Sequence, residues 1–225
     1  MISKSINKKV GAIIQARIDS SRMHRKIFTN LDGKPVLEHV INKLKKSSCI
    51  DEIIVATSND FKDREIIEWC KKKNIKYFKG EKEDVLSRFY HCAYRYKIDT
   101  IVRVTSDNPL LDIIIVDEVI KLFNKDFDYV ANNIKKTFPH GLDVEVFNFE
   151  SLKKSFTDAN IASHREHVTQ YIRHNPKKFR ISNLEAKENN HHIRVTLDTK
   201  EDYKLLNEVV KIGGIDIGLE QLLKI

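Results

Sequence analysis

Val10-Gly11-Ala12-Ile13-Ile14-Gln15-Ala16, running straight into Arg17-Ile18-Asp19-Ser20-Ser21-Arg22-Met23-His24-Arg25-Lys26, is the stretch on which the fold turns. Its first half is a nearly continuous apolar run, the pattern of a strand covered on both faces, as strands of parallel sheets are. Its second half is a polar, basic loop placed directly after that strand. The segments downstream repeat the theme. Pro35 opens a helix in which Leu37, Val40, Ile41 and Leu44 form a core-facing stripe. Residues 53–57 read as a second buried strand, and Ile66, Ile67 and Cys70 mark a helix. Residues 75–78 and 100–105 read as strands, with helices over 85–96 and through Val116, Val119, Ile120 and Phe123. Residues 129–131 make a fifth strand. Such strand–helix alternation predicts a largely parallel sheet with helices on both faces.

After Pro139 the rhythm changes. Residues 142–147 alternate with period two, a strand with one polar face. A helix over 161–174, strands over 179–184 and 193–197, and a final helix over 201–212 follow. The reading is an α/β fold, a mostly parallel central sheet with a mixed C-terminal edge that is also the expected place for a dimer contact.

Composition bounds the function. The chain has 225 residues, 41% hydrophobic and 32% charged, with seven Gly and four Pro. This suits one globular unit over 1–225, preceded by a basic segment over 1–9, and gives no compositional linker. No run of about 18 apolar residues is present, so no membrane span is expected. Nor does the N-terminus read as a secretory signal. Cys49, Cys70 and Cys92 are odd in number and scattered, which fits a reducing compartment and neither a disulfide framework nor a zinc site. The expectation is cytoplasm. A net charge of +8 admits nucleic acid, but no basic stripe interleaved with aromatics exists, and anionic small molecules are the expected partners.

Ligands of open α/β sheets bind beyond the carboxyl ends of the strands. There the first strand supplies Arg17, Ser20, Ser21, Arg22, Arg25 and Lys26, a phosphate-binding set without a Walker motif. The strand over 100–105 leads to Asp107, and the segment over 193–197 leads to Asp198. Two carboxylates facing a basic loop suit Mg²⁺, which takes one or two protein carboxylates and fills its remaining positions with water and phosphate. Each aspartate also has a simpler reading, as a turn residue or helix cap.

Taken in order, these motifs resemble a family. Ile13-Ile14-Gln15-Ala16-Arg17-x-x-Ser20-x-Arg22-x-x-x-Lys26 and Leu31-x-Gly33-Lys34-Pro35 look like the opening of CMP-sugar synthetases, the acylneuraminate and 3-deoxy-manno-octulosonate cytidylyltransferases. The spore-coat polysaccharide branch is the most similar. Asp84-Val85-Leu86-x-Arg88, Arg103-Val104-Thr105-x-Asp107-x-Pro109, Gly141-Leu142-Asp143-Val144-Glu145, Arg165-Glu166-His167-Val168-Thr169 and Asp198-Thr199-x-Glu201-Asp202 continue it. The resemblance implies a Rossmann-like three-layer nucleotidyltransferase fold and a homodimer. It implies that Arg17, Ser20, Ser21, Arg22 and Lys26 hold the triphosphate of CTP, with Ala16, Asp84, Arg88 and Arg103 also on the nucleotide. Arg22, Lys26, Asp107 and Asp198 would be the catalytic set, with Mg²⁺ on Asp107 and Asp198. Glu145, Arg165 and His167 would face a sugar-acid acceptor. The chain departs from the family at Asp19, where glycine is frequent, and at Met23-His24-Arg25, where Leu-Pro-Gly is frequent.

The expected reaction is attack by a hydroxyl of a 2-keto sugar acid on the α-phosphate of CTP, giving a CMP-sugar for surface polysaccharide or glycoconjugate, and pyrophosphate. Transfer from another NTP, or to a phosphorylated sugar or alcohol, uses similar parts. A nucleotide-sugar-dependent glycosyltransferase is disfavoured because Asp107-Asn108-Pro109 lacks the second acid of a DxD pair. A non-catalytic nucleotide- or nucleic-acid-binding protein would leave both strand-end aspartates without a purpose.

Overall fold

Alternate residues of the first strand serve two separate cores. In the computed structural model, which describes residues 8–20 and 22–225, β1 (Val10–Gln15) sends Ala12 and Ile14 into one apolar cluster and Ile13 into another. Side chains along a strand point alternately to opposite faces, so a strand apolar on both faces demands cover on both. Gly11 has a steric reason: a Cβ there would lie 2.5 Å from Ile98.

The chain continues through a 3₁₀ turn (Lys26–Phe28) and a two-residue hairpin, β2 (Asn30–Leu31) and β3 (Lys34–Pro35), into α1 (Val36–Leu44). Then come β4 (Glu52–Ser58), α2 (Arg64–Lys72), β5 (Lys76–Gly80), α3 (Val85–Tyr96), β6 (Thr100–Thr105) and α4 (Ile113–Leu122). The last third holds β7 (Tyr129–Ala131), β8 (Glu145–Asn148), α5 (Phe149–Asp158), α6 (Ala162–Glu166), α7 (Gln170–Arg173), β9 (Ile181–Asn183), α8 (Lys200–Gly213) and α9 (Leu219–Leu222). Seven strands form one sheet in the order β5-β4-β1-β6-β8-β7-β9. β1 pairs in parallel with β4 and β6, and β4 with β5. β8 runs antiparallel between β6 and β7, and β9 closes the edge parallel to β7. The α/β fold, mostly parallel with a mixed C-terminal part, is the one expected.

One face of the sheet is covered by α1, α2, α4, α8 and α9, whose buried residues join Ala12, Ile14, Val55, Val102 and Val146. The other carries α3, α5 and α7, packed on Ile13, Ile54, Ile101 and Phe147. From β1 the chain moves outward through β4 and β5, then returns to place β6 on the other side of β1. That reversal opens a crevice at the carboxyl ends of β1 and β6. No helix of the described residues is long and apolar enough to cross a membrane.

Several expected elements shift. Pro35 is the residue before α1 rather than its first residue. The strand expected over 142–147 begins only at Glu145, because residues 142–144 curve to pair with Asn132: its Oδ1 accepts from Val144 N at 2.8 Å and its Nδ2 donates to the Leu142 carbonyl. The helix expected over 161–174 is two helices, broken where Val168 has φ 40°. Residues 193–197 form no sheet strand. They run instead as a strap, with Val195 N donating to the His140 carbonyl and Leu197 N to the Asp107 carbonyl, both at 2.8 Å. Gly141, at φ 110°, permits this approach, since a Cβ there would sit 2.8 Å from Thr196 N. Residues 1–7 of the expected basic N-terminal segment lie outside the described residues.

Candidate active site

Asp107 and Asp198 are far apart in sequence, and the strap joins them. The Asp107 carbonyl accepts from Leu197 N at 2.8 Å and from Thr196 Oγ1 at 3.3 Å, so the loop after β6 and the entry to α8 are fixed to each other. Neither carboxylate caps a helix. The N-cap of α8 is Thr199, reciprocally bonded with Asp202 in a capping box, and that of α4 is Asp112. Both side chains are therefore free to face the crevice.

There they meet Lys26. Its Nζ donates to Asp107 Oδ2 at 2.5 Å and to Asp198 Oδ1 at 2.7 Å. Arg22 Nη2 stands 3.0 Å from Asp198 Oδ1, and Arg194 Nη2 donates to Asp198 Oδ2 at 2.7 Å. Burial alone would raise the Asp198 pKa. Hydrogen bonding and charge from Lys26, then Arg194 and Arg22, outweigh it and hold the carboxyl below its usual range. Asp198 is thus kept ionised as one corner of a charged cluster.

The basic loop runs over this cluster. Gln15, Arg17, Asp19, Ser20, Arg22 and Lys26 line a cavity of about 230 Å³, closed from the β6 side by Thr105, Ser106 and Asp107. A second cavity of about 510 Å³ adjoins it, sharing Arg22, Lys26, Thr105 and Asp107. Its further walls come from Arg103 and Asn108, from Asp198 and Thr196, from the loop carrying Asn133, Lys136, His140 and Asp143, and from His167 and Arg173. One small polar cavity and one larger one meet at the Lys26–Asp107 contact.

The departures at Asp19 and Arg25 now have a physical reading. Asp19 is paired with Lys62 at 3.0 and 3.2 Å, which neutralises its charge beside the loop. Arg25 takes the left-handed conformation, at φ 54° and ψ 25°, the position where glycine is frequent in the family. Its guanidinium pairs with Glu65.

Arg17, Ser20, Arg22, Lys26, Asp107, Asp198 and His167 thus converge on the two cavities, and Arg103 lines the larger rather than the smaller one. Ser21 lies outside the described residues. Five expected site residues are elsewhere. Asp84 caps α3, its Oδ1 accepting from Ser87 N at 2.8 Å, while its Oδ2 binds Arg165. Arg165 is spent on Asp84 and on the carbonyls of Phe156 and Ala159. Arg88 is 1% exposed, packed under Gly80, with its pKa lowered to about 10 by burial and by the charge of Arg17. Glu145 is also buried. It forms an ion pair with Arg103 and accepts from Tyr129 Oη and Thr169 Oγ1, each at 2.6 Å. It therefore braces Arg103 from behind instead of facing the cavity. Ala16 is buried too, its N–H bonded to the Ala56 carbonyl, so only its neighbours Gln15 and Arg17 reach the cavity. Thr105, Lys136, His140, Arg173 and Arg194 were not singled out by sequence. Arg194, four residues before Asp198, reaches it only because the chain folds back at the entry to α8.

Among the described residues no group of three or more His, Cys, Asp or Glu side chains is arranged to hold a metal. Two carboxylates within reach of one ammonium nitrogen instead fit an ion that draws most of its ligands from water and phosphate, as Mg²⁺ does.

The sequence profile of the family described as "Cytidylyltransferase" matches residues 11–223. The chain belongs to the cytidylyltransferase family. This cytidylyltransferase is 39% identical to the uncharacterised protein MJ1063 of Methanocaldococcus jannaschii, over 96% of this chain and 89% of that one. It is 32% identical to the spore coat polysaccharide biosynthesis protein SpsF of Bacillus subtilis, over 90% and 86% of the two chains. A cytidylyltransferase from Leptospira borgpetersenii superposes with a TM-score of 0.92 at 30% identity, covering 96% of this chain and 93% of that one. A CMP-2-keto-3-deoxy-manno-octonic acid synthetase complexed with CTP shares the fold, with a TM-score of 0.67 at 14% identity over 91% of this chain and 99% of that one. The protein is a nucleotidyltransferase.

Proposed function

We propose that this cytidylyltransferase transfers CMP from CTP to a hydroxyl of a 2-keto sugar acid, for a surface polysaccharide or glycoconjugate. The observation that carries the reading is the meeting of the basic loop with two strand-end carboxylates at Lys26. The names of the relatives support it, since SpsF is a spore coat polysaccharide biosynthesis protein and shorter matches are 3-deoxy-manno-octulosonate cytidylyltransferases, the first of them 31% identical over 56% of this chain.

In the reaction the acceptor oxygen forms a bond to the α-phosphorus of CTP and the bond from that phosphorus to the β-phosphate bridging oxygen breaks. Pyrophosphate leaves with the electron pair, and the proton of the acceptor hydroxyl passes to solvent. The chemistry needs chiefly positioning and charge neutralisation. Arg17, Ser20 and Arg22 line the smaller cavity and are suited to hold the phosphates by charge-assisted hydrogen bonds. Lys26, at the junction of the cavities, is placed to neutralise the departing pyrophosphate. Asp107 and Asp198 would hold Mg²⁺, which when bound supplies charge neutralisation at the phosphates. His167, Arg103 and Asn108 line the cavity left for the acceptor.

The test is pyrophosphate release with each of the four NTPs against sugar acids and sugar 1-phosphates, with Mg²⁺ or with EDTA. The expected result is release with CTP and a sugar acid, lost in EDTA and reduced at least about hundredfold in Asp107→Ala and Asp198→Ala. Release that survives in both variants would overturn the assignment of these carboxylates. Release with only another NTP, or only a sugar phosphate, would replace the substrates.

A further inference from the structure

Lys26 sits where the two strand-end carboxylates meet. Its Nζ donates to Asp107 Oδ2 at 2.5 Å and to Asp198 Oδ1 at 2.7 Å, and its side chain is only 13% exposed, so little water screens the charges. The other oxygen of Asp198 is held from behind. Arg194 Nη2 donates to Asp198 Oδ2 at 2.7 Å, while its Nε donates to Asp202 Oδ1 at 2.9 Å. Asp202 is fixed in turn by the capping box of α8. Asp107 Oδ2 and Asp198 Oδ1 are thus brought to one point, and one ammonium takes both.

The charges close on themselves. Asp107, Asp198 and Asp202 are paired with Lys26, Arg22 and Arg194, three carboxylates against three cations. Such a cluster has no net negative charge to draw in a divalent ion. An ion seated on the same two oxygens would also lie against the Lys26 ammonium, where like charges repel strongly in a partly buried site.

Lys26 has a second place to go. The buried Ile27 anchors its 3₁₀ turn, and its side chain lines both cavities. A flexible four-carbon stem lets the ammonium pass from the carboxylates into the smaller cavity, among Arg17, Ser20 and Arg22, with the backbone in place. A triphosphate there gives the ammonium a new partner and brings a divalent ion ligands of its own.

We infer that Lys26 gates the carboxylate pair, closing Asp107 and Asp198 to a divalent cation until a nucleoside triphosphate draws its ammonium away. This rests on the reading of these carboxylates as the Mg²⁺ ligands and adds to it an order of binding. Ion and nucleotide then raise each other's affinity by the same factor, because coupling between two ligands is reciprocal. In the free chain the gate also keeps two neighbouring carboxylates neutralised.

The experiment is titration of the full chain with Mn²⁺, read from the paramagnetic resonance signal of the free ion, with and without saturating cytidine α,β-methylene triphosphate. Wild type, Lys26→Met, Lys26→Gln, Asp198→Asn and the double variant Lys26→Met with Asp198→Asn are compared. Thermal melts show that each is folded, and the analogue without protein gives the ion held by nucleotide alone. Without nucleotide, Lys26→Met and Lys26→Gln are expected to bind one Mn²⁺ at least about tenfold more tightly than wild type, within the range of ordinary coupling energies. The double variant should lose that gain. With the analogue, wild type should hold the ion more tightly than the analogue alone does, and the advantage of the Lys26 variants should shrink. Equal Mn²⁺ affinity of wild type and the folded Lys26 variants without nucleotide would overturn the gate. So would a gain that survives in the double variant, or wild type that shows no synergy between ion and analogue. Mn²⁺ affinity in the presence of the analogue that Asp198→Asn leaves unchanged would instead overturn the placing of the ion in the function proposed above.

Discussion

Arg25 shows how one backbone angle can be obscured by a side chain. Left-handed conformation costs a residue with a Cβ about 1–2 kcal/mol, and Arg25 accepts it at the turn that delivers Lys26 to the two aspartates. Its exposed pair with Glu65 offers little in return, since such pairs contribute about 0–1 kcal/mol. Arg25→Gly is therefore expected to leave stability within about 1 kcal/mol of wild type, strain relief offsetting the greater entropy of glycine in the unfolded chain. Arg25→Val should cost about 1–3 kcal/mol, because a branched side chain at positive φ has no compensation. Urea unfolding midpoints measure both, and equal stability of the two variants would show the turn to be unstrained. The other departure, Asp19, has its charge balanced by Lys62. Its pairing with Lys62 depends on how two loops meet, which no local pattern encodes.

Between α6 and α7 the chain makes a break that helical periodicity cannot reveal. Residues 161–174 are apolar at helical spacing, but the buried Val168 takes φ 40°, and its neighbours turn to separate tasks. His167 lines the larger cavity, while Thr169 bonds Glu145 behind Arg103. The two short helices are then joined by His164 Nε2 and His174 Nδ1 at 3.1 Å, one donating and the other accepting. Burial, and secondly the neighbouring His174, lower the His164 pKa. With the folded value below the unfolded one, near 6.5, the unfolded chain binds more protons in between. The contribution of neutral His164 is full above the unfolded value and is lost as pH falls through the folded one. Thermal melts from pH 8 down to 5 should show a fall in stability that His164→Phe makes shallower, and identical slopes would contradict the assignment. Elsewhere at this scale the long apolar runs of β1, β4 and β6 were readable because both their faces are buried. α5 was not, since its buried face is largely Ser151, Leu152 and Ser155 and gives no hydrophobic stripe.

At the scale of the whole molecule, strand order decides where chemistry can happen. The reversal at β1 puts the loop after β1 beside the loop after β6, and the strap over 193–197 adds Asp198. Residues that follow strand ends directly, from Arg17 to Lys26 with Asp107, could be placed from sequence for that reason. Glu145, Arg88, Asp84 and Arg165 could not. Their locations depend on side-chain direction and on ion pairs to distant elements, as when the register of β6 and β8 sets Glu145 against Arg103. In the function proposed above, the acceptor hydroxyl attacks CTP at its α-phosphate within the crevice so formed. Incubation with Mg²⁺, 2-keto-3-deoxy-octonate and CTP labelled on either the α- or the γ-phosphate tests it most directly. The expected outcome is α-label in a sugar-linked product and γ-label in pyrophosphate, both lost in Asp198→Ala. Label passing from the γ-phosphate to the sugar, or α-label transfer that persists in Asp198→Ala, would contradict it.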